Sequence, residues 1–579
     1  MARLRTHIPI LLLLIAAQQA VAQTDVEKIT EAPPFSFSGS VGASVVGYSA
    51  SGIPERREPF SWTVNGTFNP TIYSLQLPID FIFSEQERDF RQPFNQFGIS
   101  PRYKSLTGYF GYRAMTMSPY TLDGVTFLGA GMEFNPGKFR FAGMIGRLQR
   151  AVEEDTTQFY NIPAYQRNGY ALKVGFGSQE SYFDVIWFHA NDDSASLKKA
   201  PTQNELYPAE NSVLGLTLKT NITPELTLDA DIAGSLHTRD TRAPLTDLDS
   251  SDLDFFSSVQ PIHNSTALNL ASKAGLSFAI PTFKIRAGYE RVEPNFTSLG
   301  TWYLASDFER WTIAPALDLF DNRLRLGGSV GIQHDNLLDT RFAETNRLIG
   351  SANVGWYPTD AFGIDANYIN YSTDQSAGRV AINDSIRVRN VSQSATLAPR
   401  LLLQSEALNH FITVIGNYQE FSDLNVFTNA FTNSRGNNVS LIYNLTFVES
   451  AVSVGFSVLR GTTETGTLDI GTTGGTLNGS LGLFDNTLSV GASAGYTATE
   501  TTALNLATGQ MEAFDGTVIN LTANAGFRPT TEDQFTFTLY RTQGAGTISA
   551  SSDFNELTAT LAYSRTFSWK PDSPEEDGR

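Results

Sequence analysis

From Phe35 to Trp569 the chain is a succession of runs in which apolar and polar residues alternate one by one, with almost no helical periodicity. Within 226–232, Leu226, Leu228, Ala230 and Ile232 fall on one side, and Asp229 and Asp231 on the other. Within 283–290, Phe283, Ile285, Ala287 and Tyr289 oppose Lys284, Arg286 and Glu290. Segments 324–333, 452–459, 488–497, 534–541 and 557–567 behave the same way. Successive side chains of a strand point to opposite faces, so each run is a strand with one apolar and one polar face. The runs are about 10 to 14 residues long, against about five or six for strands of soluble sandwiches and about 9–11 for a membrane crossing.

The connections alternate too. Tight turns read at Asn69-Pro70, 135–137, 177–180, 221–224, Ile280-Pro281, Asp321-Asn322, 358–360, 448–450, Asp485-Asn486 and 529–533, with weaker ones near Ser105 and Ser405. Between them lie longer polar loops such as 148–167, 191–210 and 237–264. Short turns on one side, long loops on the other and an even strand number define a transmembrane β-barrel. Twelve tight turns, with one strand before the first and one after the last, give about 26 strands, within a range of about 22–28 set by the uncertainty of single strand assignments. Both termini then fall on the tight-turn side. Aromatics near strand ends, at Trp62, Tyr109 to Tyr112, Trp311, Trp356 and Trp569, suit interfacial girdles. A solenoid would need a short internal repeat, and no motif recurs.

Ahead of the strands, Met1 to Ala22 reads as a secretory signal peptide. Arg3 and Arg5 precede the apolar run Ile8 to Ala17, and Ala20-Val21-Ala22 forms a small-residue cleavage site. The expected division is a signal peptide over 1–22, a short periplasmic segment over 23–34, the barrel over 35–569 and an acidic periplasmic tail over 570–579. The apolar run is too short to span a bilayer, which takes about 20 residues.

Composition narrows the function. With no cysteine, there is no disulfide framework, thiolate metal site, cysteine nucleophile or lipobox anchor. A formal charge of −18, moving to −20 without Arg3 and Arg5, excludes a basic nucleic-acid surface. Charged residues at 17% beside 40 Phe and 21 Tyr fit strands that turn half their side chains toward lipid.

On this pattern the chain resembles the large outer-membrane β-barrels of Gram-negative bacteria, and its Phe/Tyr/Asn-rich texture is similar to that of Bacteroidota proteins. The last strand, Leu557 to Phe567 followed by Trp569, looks like the C-terminal signal of such barrels, with a ten-residue tail as a departure. The most distinctive stretch runs from Phe94 to Tyr103 through Met117-Ser-Pro-Tyr-Thr-Leu-Asp-Gly124 to Phe134–Phe139. TonB-dependent transporters carry a plug domain ahead of the barrel, and here no N-terminal plug domain is expected, although Val26 to Thr30 faintly resembles a TonB box. The periplasmic domains of lipopolysaccharide-exporting and assembly barrels are not expected either.

Sites of covalent chemistry are not expected: no catalytic, cofactor-binding or metal residues are assigned. His189, His237, His263, His334 and His410 are scattered without metal-ligand spacing. The stretch His189 to Asp193 faintly looks like the rim of an outer-membrane protease, against the simpler reading of a rim histidine. Loop 237–264 carries Asp240, Asp247, Asp249, Asp252 and Asp254 against Arg239 and Arg242, without the spacing of a calcium loop. If the apolar sets face lipid, the lumen receives Arg140, Asp184, Asp229, Asp231, Lys273, Lys284, Arg286, Glu290, Arg325 and Asp365, with a basic cluster at Lys273, Lys284, Arg286 and Arg325. Charged rings set pore selectivity, and salt bridges that neutralise a polar interior are the other reading. The wall over 450–500 turns inward Ser453, Gly455, Ser457, Ser489, Gly491, Ser493 and Gly495, an uncharged surface that suits either permeating solutes or a close-packed plug.

The expected function is a porin-like outer-membrane channel for passive diffusion of hydrophilic solutes. It is not expected to be an enzyme and needs no cofactor; its partners are outer-membrane lipid and lipopolysaccharide. Barrels of about 16–18 strands already leave an aqueous channel, so a larger one must fold loops such as 237–264 inward or hold a plug or complex-forming protein. The second case defines the alternative, a barrel subunit of a secretion, assembly or uptake complex. A rim hydrolase is a distant third.

Overall fold

The computed structural model describes residues 34–571 apart from 86–89, 156–161, 200, 202–204, 247–256, 380–382, 506 and 547–552. The signal-peptide stretch 1–22, the Val26 to Thr30 motif, most of the acidic tail and Asp247 to Asp254 lie outside the described residues.

One antiparallel sheet of 29 hydrogen-bonded segments closes on itself. The first strand, Ser36–Ser51, pairs with the last, Phe554–Trp569, in continuous register from Phe37↔Trp569 to Ser51↔Asn555. Closure removes the edges that an open sheet would present to lipid. The segments make 26 wall strands. Two of those strands are broken side by side: Leu75–Gln76 and Ile79–Ser84 form one, and Gln96–Ile99 and Arg102–Tyr103 the other. Pro78 and Pro101 stand at the breaks, where a residue without an N–H cannot extend the ladder. The pair Gly300–Thr301 is not part of the wall. It runs parallel to Leu122–Gly124 inside the barrel. Among the described residues there is no separate plug domain.

Eleven of the twelve tight turns fall where the sequence places them. The exception is Asn69-Pro70, which continues the strand Phe60–Ile72 opposite Ser38 and Phe37, the chain reversing at Tyr73-Ser74 instead. Pro70 keeps its carbonyl in use, accepting from Leu77 N–H at 2.8 Å, so the strand loses only a donor there. Two turns share the sequence Leu-Phe-Asp-Asn, at 319–322 and 483–486. In each, Phe, Asp and Asn all take φ between 54° and 66°, a region that Asn and Asp tolerate better than most residues.

The outward face is apolar. Ile145, Leu172, Phe176, Leu214, Ile232, Val330 and Leu477 are all exposed, as a water-filled surround would not favour and a lipid one would. Rings gather at both ends of this belt. Near the long-loop end Trp311 lies 4.4 Å from Tyr289, and at the tight-turn end Phe37 stacks on Phe567 and Phe68 while Trp569 meets Phe35.

Candidate functional site in the barrel lumen

Strand register places all ten charged residues expected in the lumen on the face opposite the exposed apolar set. Asp184, Thr217, Asp231, Lys273, Glu290 and Arg310 are successive Cα partners across six strands and so form one row around the wall. Neighbouring strands lie about 4.8 Å apart, close enough for side chains of opposite sign to pair. Arg140 grips Asp184 with two bonds, Nε to Oδ1 at 2.8 Å and Nη2 to Oδ2 at 3.0 Å, its guanidinium 4.1 Å from the centre of the Tyr182 ring. Arg286 holds Asp229 the same way, at 2.7 and 2.8 Å, and also donates to Ser277. Arg310 pairs with Glu290, and Lys284 stands 3.8 Å from Asp318.

The expected basic cluster is therefore broken up. Arg286 and Lys284 are each tied to a carboxylate, and Lys273 stands between Asp231 and Glu290 in the register. Arg325 is the Cα partner of Asp318 without an ion pair to it, and lies over Tyr357, whose hydroxyl donates to Asp365. Asp318, Arg310, Arg400 and Tyr357 belong to this lining and are missed by the sequence reading. The strands of Asp318, Arg310 and Arg400 alternate, so the signal was present for these three, whereas Tyr357 lies in a turn; pairing depends on register, which the alternation alone does not give.

A second feature has no counterpart in the sequence reading: an apolar core inside the lumen. Met115, Phe127, Met144, Leu148, Ile186, Phe188, Val213 and Val292 point inward from the walls and are buried by two connections that fold back into the barrel. The first is the hairpin tip at 117–121, between Leu106–Thr116 and Leu122–Phe134; the second is 293–307, which carries Phe296. Each large apolar side chain removed from water contributes about 1.5–3 kcal/mol, so packing rather than hydrogen bonding gives the inward fold most of its stability.

Local chemistry shapes this fold. Gly124 takes φ +65° at an irregularity in the pairing, which lets Leu122 and Val125 both reach the core. Gly300 passes so close that a Cβ would meet the Thr121 carbonyl oxygen and, at 2.8 Å, the Phe188 ring. Ser235 Oγ donates to Thr297 O at 2.6 Å, Leu299 N–H to Asn211 Oδ1 at 3.1 Å, and Trp302 Nε1 to Gly124 O at 3.3 Å. Tyr120, 1% exposed, donates its hydroxyl to Glu290 at 2.9 Å and so joins the core to the charged row. Burial, reinforced by Glu290, pushes that hydroxyl well above its usual range, and it stays a proton donor. A signal for the core existed in Val185-Ile186-Trp187-Phe188, where apolar residues occupy both faces of one strand.

From sequence, loop 237–264 is an example of a loop that folds inward if no partner fills the lumen; its residues 247–256 lie outside the described residues. Its described residues form a stalk closed by a bridge between Leu245 and His263, with Asp240 and Arg242 paired at 3.0 Å. Among the described residues, the connections seen to pack inside the lumen are 117–121 and 293–307.

Among the described residues no three His, Cys, Asp or Glu side chains are grouped to hold a metal ion. His189 lies 2.9 Å from Ser212 Oγ and 3.8 Å from Glu210, but Ser212 is 2% exposed and is not presented to a substrate.

No protein-family profile and no curated protein matches the chain. Among solved structures it is similar to OccK5 (OpdH) of Pseudomonas aeruginosa, at 9% identity over 63% of this chain and 97% of that one, with a TM-score of 0.32. It is also similar to OccAB2 of Acinetobacter baumannii, at 9% identity over 92% and 98%, TM-score 0.29. An outer membrane channel from Pseudomonas putida F1 matches at 16% identity over 39% and 85%, TM-score 0.22. At these scores the likeness is one of barrel architecture and assigns no function.

Proposed function

We propose that this chain is an outer-membrane channel through which hydrophilic solutes diffuse passively, narrowed by its own connections. One observation carries the reading: the closed barrel has an apolar outside, a lumen face of charged and small polar residues, and its own segments 117–121 and 293–307 packed inside. An unobstructed barrel of this strand number would leak large molecules, and inward connections limit the opening without a covalently attached plug. The tight turns and both ends of the barrel sequence face the periplasm, and the outer belt contacts outer-membrane lipid. No covalent chemistry is assigned to it.

Purified protein in planar bilayers is expected to give steady ion conductance. Replacing Lys284 and Arg286 by Gln releases Asp318 and Asp229 from their partners, so selectivity should move toward cations. An unchanged reversal potential would remove these residues from the permeation path. A protease confined to the cell exterior should cut within 239–265 and spare 357–361; the opposite pattern would invert the barrel.

A second reading is favoured by one stretch of wall. The lumen face over 450–500 carries Ser453, Gly455, Ser457, Ser489, Gly491, Ser493 and Gly495, a smooth surface on which a partner protein could seat. Absence of conductance, with a second protein retained through purification, would support it over the channel.

A further inference from the structure

The tight-turn mouth of the lumen holds a grouping of charges unlike the rows above it. Arg325 on Leu324–His334 and Arg400 on Arg389–Gln404 both lie over the ring of Tyr357, at 5.8 and 4.8 Å from its centroid. Tyr357 sits in the turn between Ala343–Trp356 and Phe362–Ala377. Arg325, Asn353, Tyr357, Asp365, Asn367 and Thr396 line a cavity of about 270 Å³, and Arg400 stands beside it across the Tyr357 ring rather than in its lining. Arg140, Arg286 and Arg310 each hold a carboxylate, whereas among the described residues neither Arg325 nor Arg400 is ion-paired. Both are exposed. Two carboxylates stand near the pair: Asp365, which accepts the Tyr357 hydroxyl on one oxygen, and Asp318, the cross-strand partner of Arg325, which lies 3.8 Å from Lys284.

A guanidinium resting on an aromatic ring keeps its edge N–H groups free for a planar acceptor with two oxygens. Such charge-assisted, two-pronged bonds are the strong ones. The amides of Asn353 and Asn367 add neutral donors beside them. A cavity of this size falls just below the usual range for drug-sized ligands, about 300–1,000 Å³, and suits a small anion rather than an oligomer. We propose that this cavity binds an oxyanion, a carboxylate or phosphate group of a small solute, at the tight-turn mouth of the lumen. The proposal rests on the channel reading only for how the solute arrives; the binding itself does not require conduction.

The test is calorimetry on the detergent-solubilised full barrel at low ionic strength, with inorganic phosphate and succinate as separate probes. Binding of either supports the site, and which one binds identifies the oxyanion. Arg325→Gln with Arg400→Gln should weaken binding at least tenfold, and the Arg→Lys pair, which keeps charge but loses the fork, should weaken it by less. Arg56→Gln with Arg57→Gln, an equal charge change at the opposite end, should leave it unaltered. Folding of each variant is verified by its heat-modifiable gel mobility. Binding of neither probe, or unchanged binding by the folded Arg325/Arg400 variants, would overturn the proposal. Bilayer conductance measured in parallel separates the two ideas: a barrel that conducts without binding loses only this site, and one that binds without conducting loses only the channel.

Discussion

At the scale of single residues, the lumen distinguishes ion pairs that stabilise from those that only decorate. Asp184 is 2% exposed and takes both prongs of Arg140, itself held against Tyr182. Removing one partner of such a pair leaves an uncompensated buried charge, which costs about 3–5 kcal/mol. Asp184→Asn should therefore lower the urea midpoint of the refolded barrel clearly. Arg140→Leu with Asp184→Leu should recover most of the loss, because a matched apolar pair removes both desolvation penalties. Arg565 and Glu532 make the contrasting case, a pair about half exposed on both sides at the tight-turn end. There solvent screens the attraction, and Arg565→Gln should not move the midpoint. A large shift at Arg565 with none at Asp184 would show that burial is not what ranks these pairs.

At the scale of elements, strands were legible and their inward neighbours were not. Alternation with period two fixes which residues share a face, so Asp229, Asp231 and Lys284 could be placed toward the lumen from sequence. Turn chemistry did the same for Asp321-Asn322 and Asp485-Asn486. Asn69-Pro70 misled because proline at a strand end and proline in a turn look alike in one dimension. The core formed by 117–121 and 293–307 joins residues 177 positions apart, Ser298 to Thr121, and no local pattern encodes a contact of that range. Met117 to Gly124 did stand out as a sequence; its role needed the opposing wall of Ile186, Phe188 and Val213. That role predicts a phenotype. In Gly300→Val the new Cβ collides with the Thr121 carbonyl and the Phe188 ring, so 293–307 should detach while the wall stays closed. Single-channel current should become larger and noisier, with gel mobility of the folded barrel unchanged. Tyr120→Phe, losing one hydrogen bond to a charged acceptor worth about 1.5–3 kcal/mol, should show a milder form of the same behaviour. Wild-type current in Gly300→Val would mean that the inward segment does not limit the opening.

At the scale of the whole molecule, one sheet performs two separable tasks. The hydrogen-bonded wall and apolar belt hold the barrel in lipid, and the lumen core sets how much of its width is open. Separability follows from topology: 117–121 and 293–307 are connections between wall strands, and every wall strand keeps both neighbours without them. Replacing both with short Gly-Ser turns should therefore leave folding intact. Barrel diameter grows roughly linearly with strand number, so the opening should widen and the conductance rise by roughly severalfold. The largest polyethylene glycol that enters and depresses the current should grow in step. A protein whose lumen is filled by a partner behaves otherwise. Its conductance would be low before and after the replacement, and would rise only when the partner is stripped away. The same pair of measurements therefore decides between a self-narrowed channel and a partner-filled barrel, and a replacement that abolishes folding would refute the independence of wall and core.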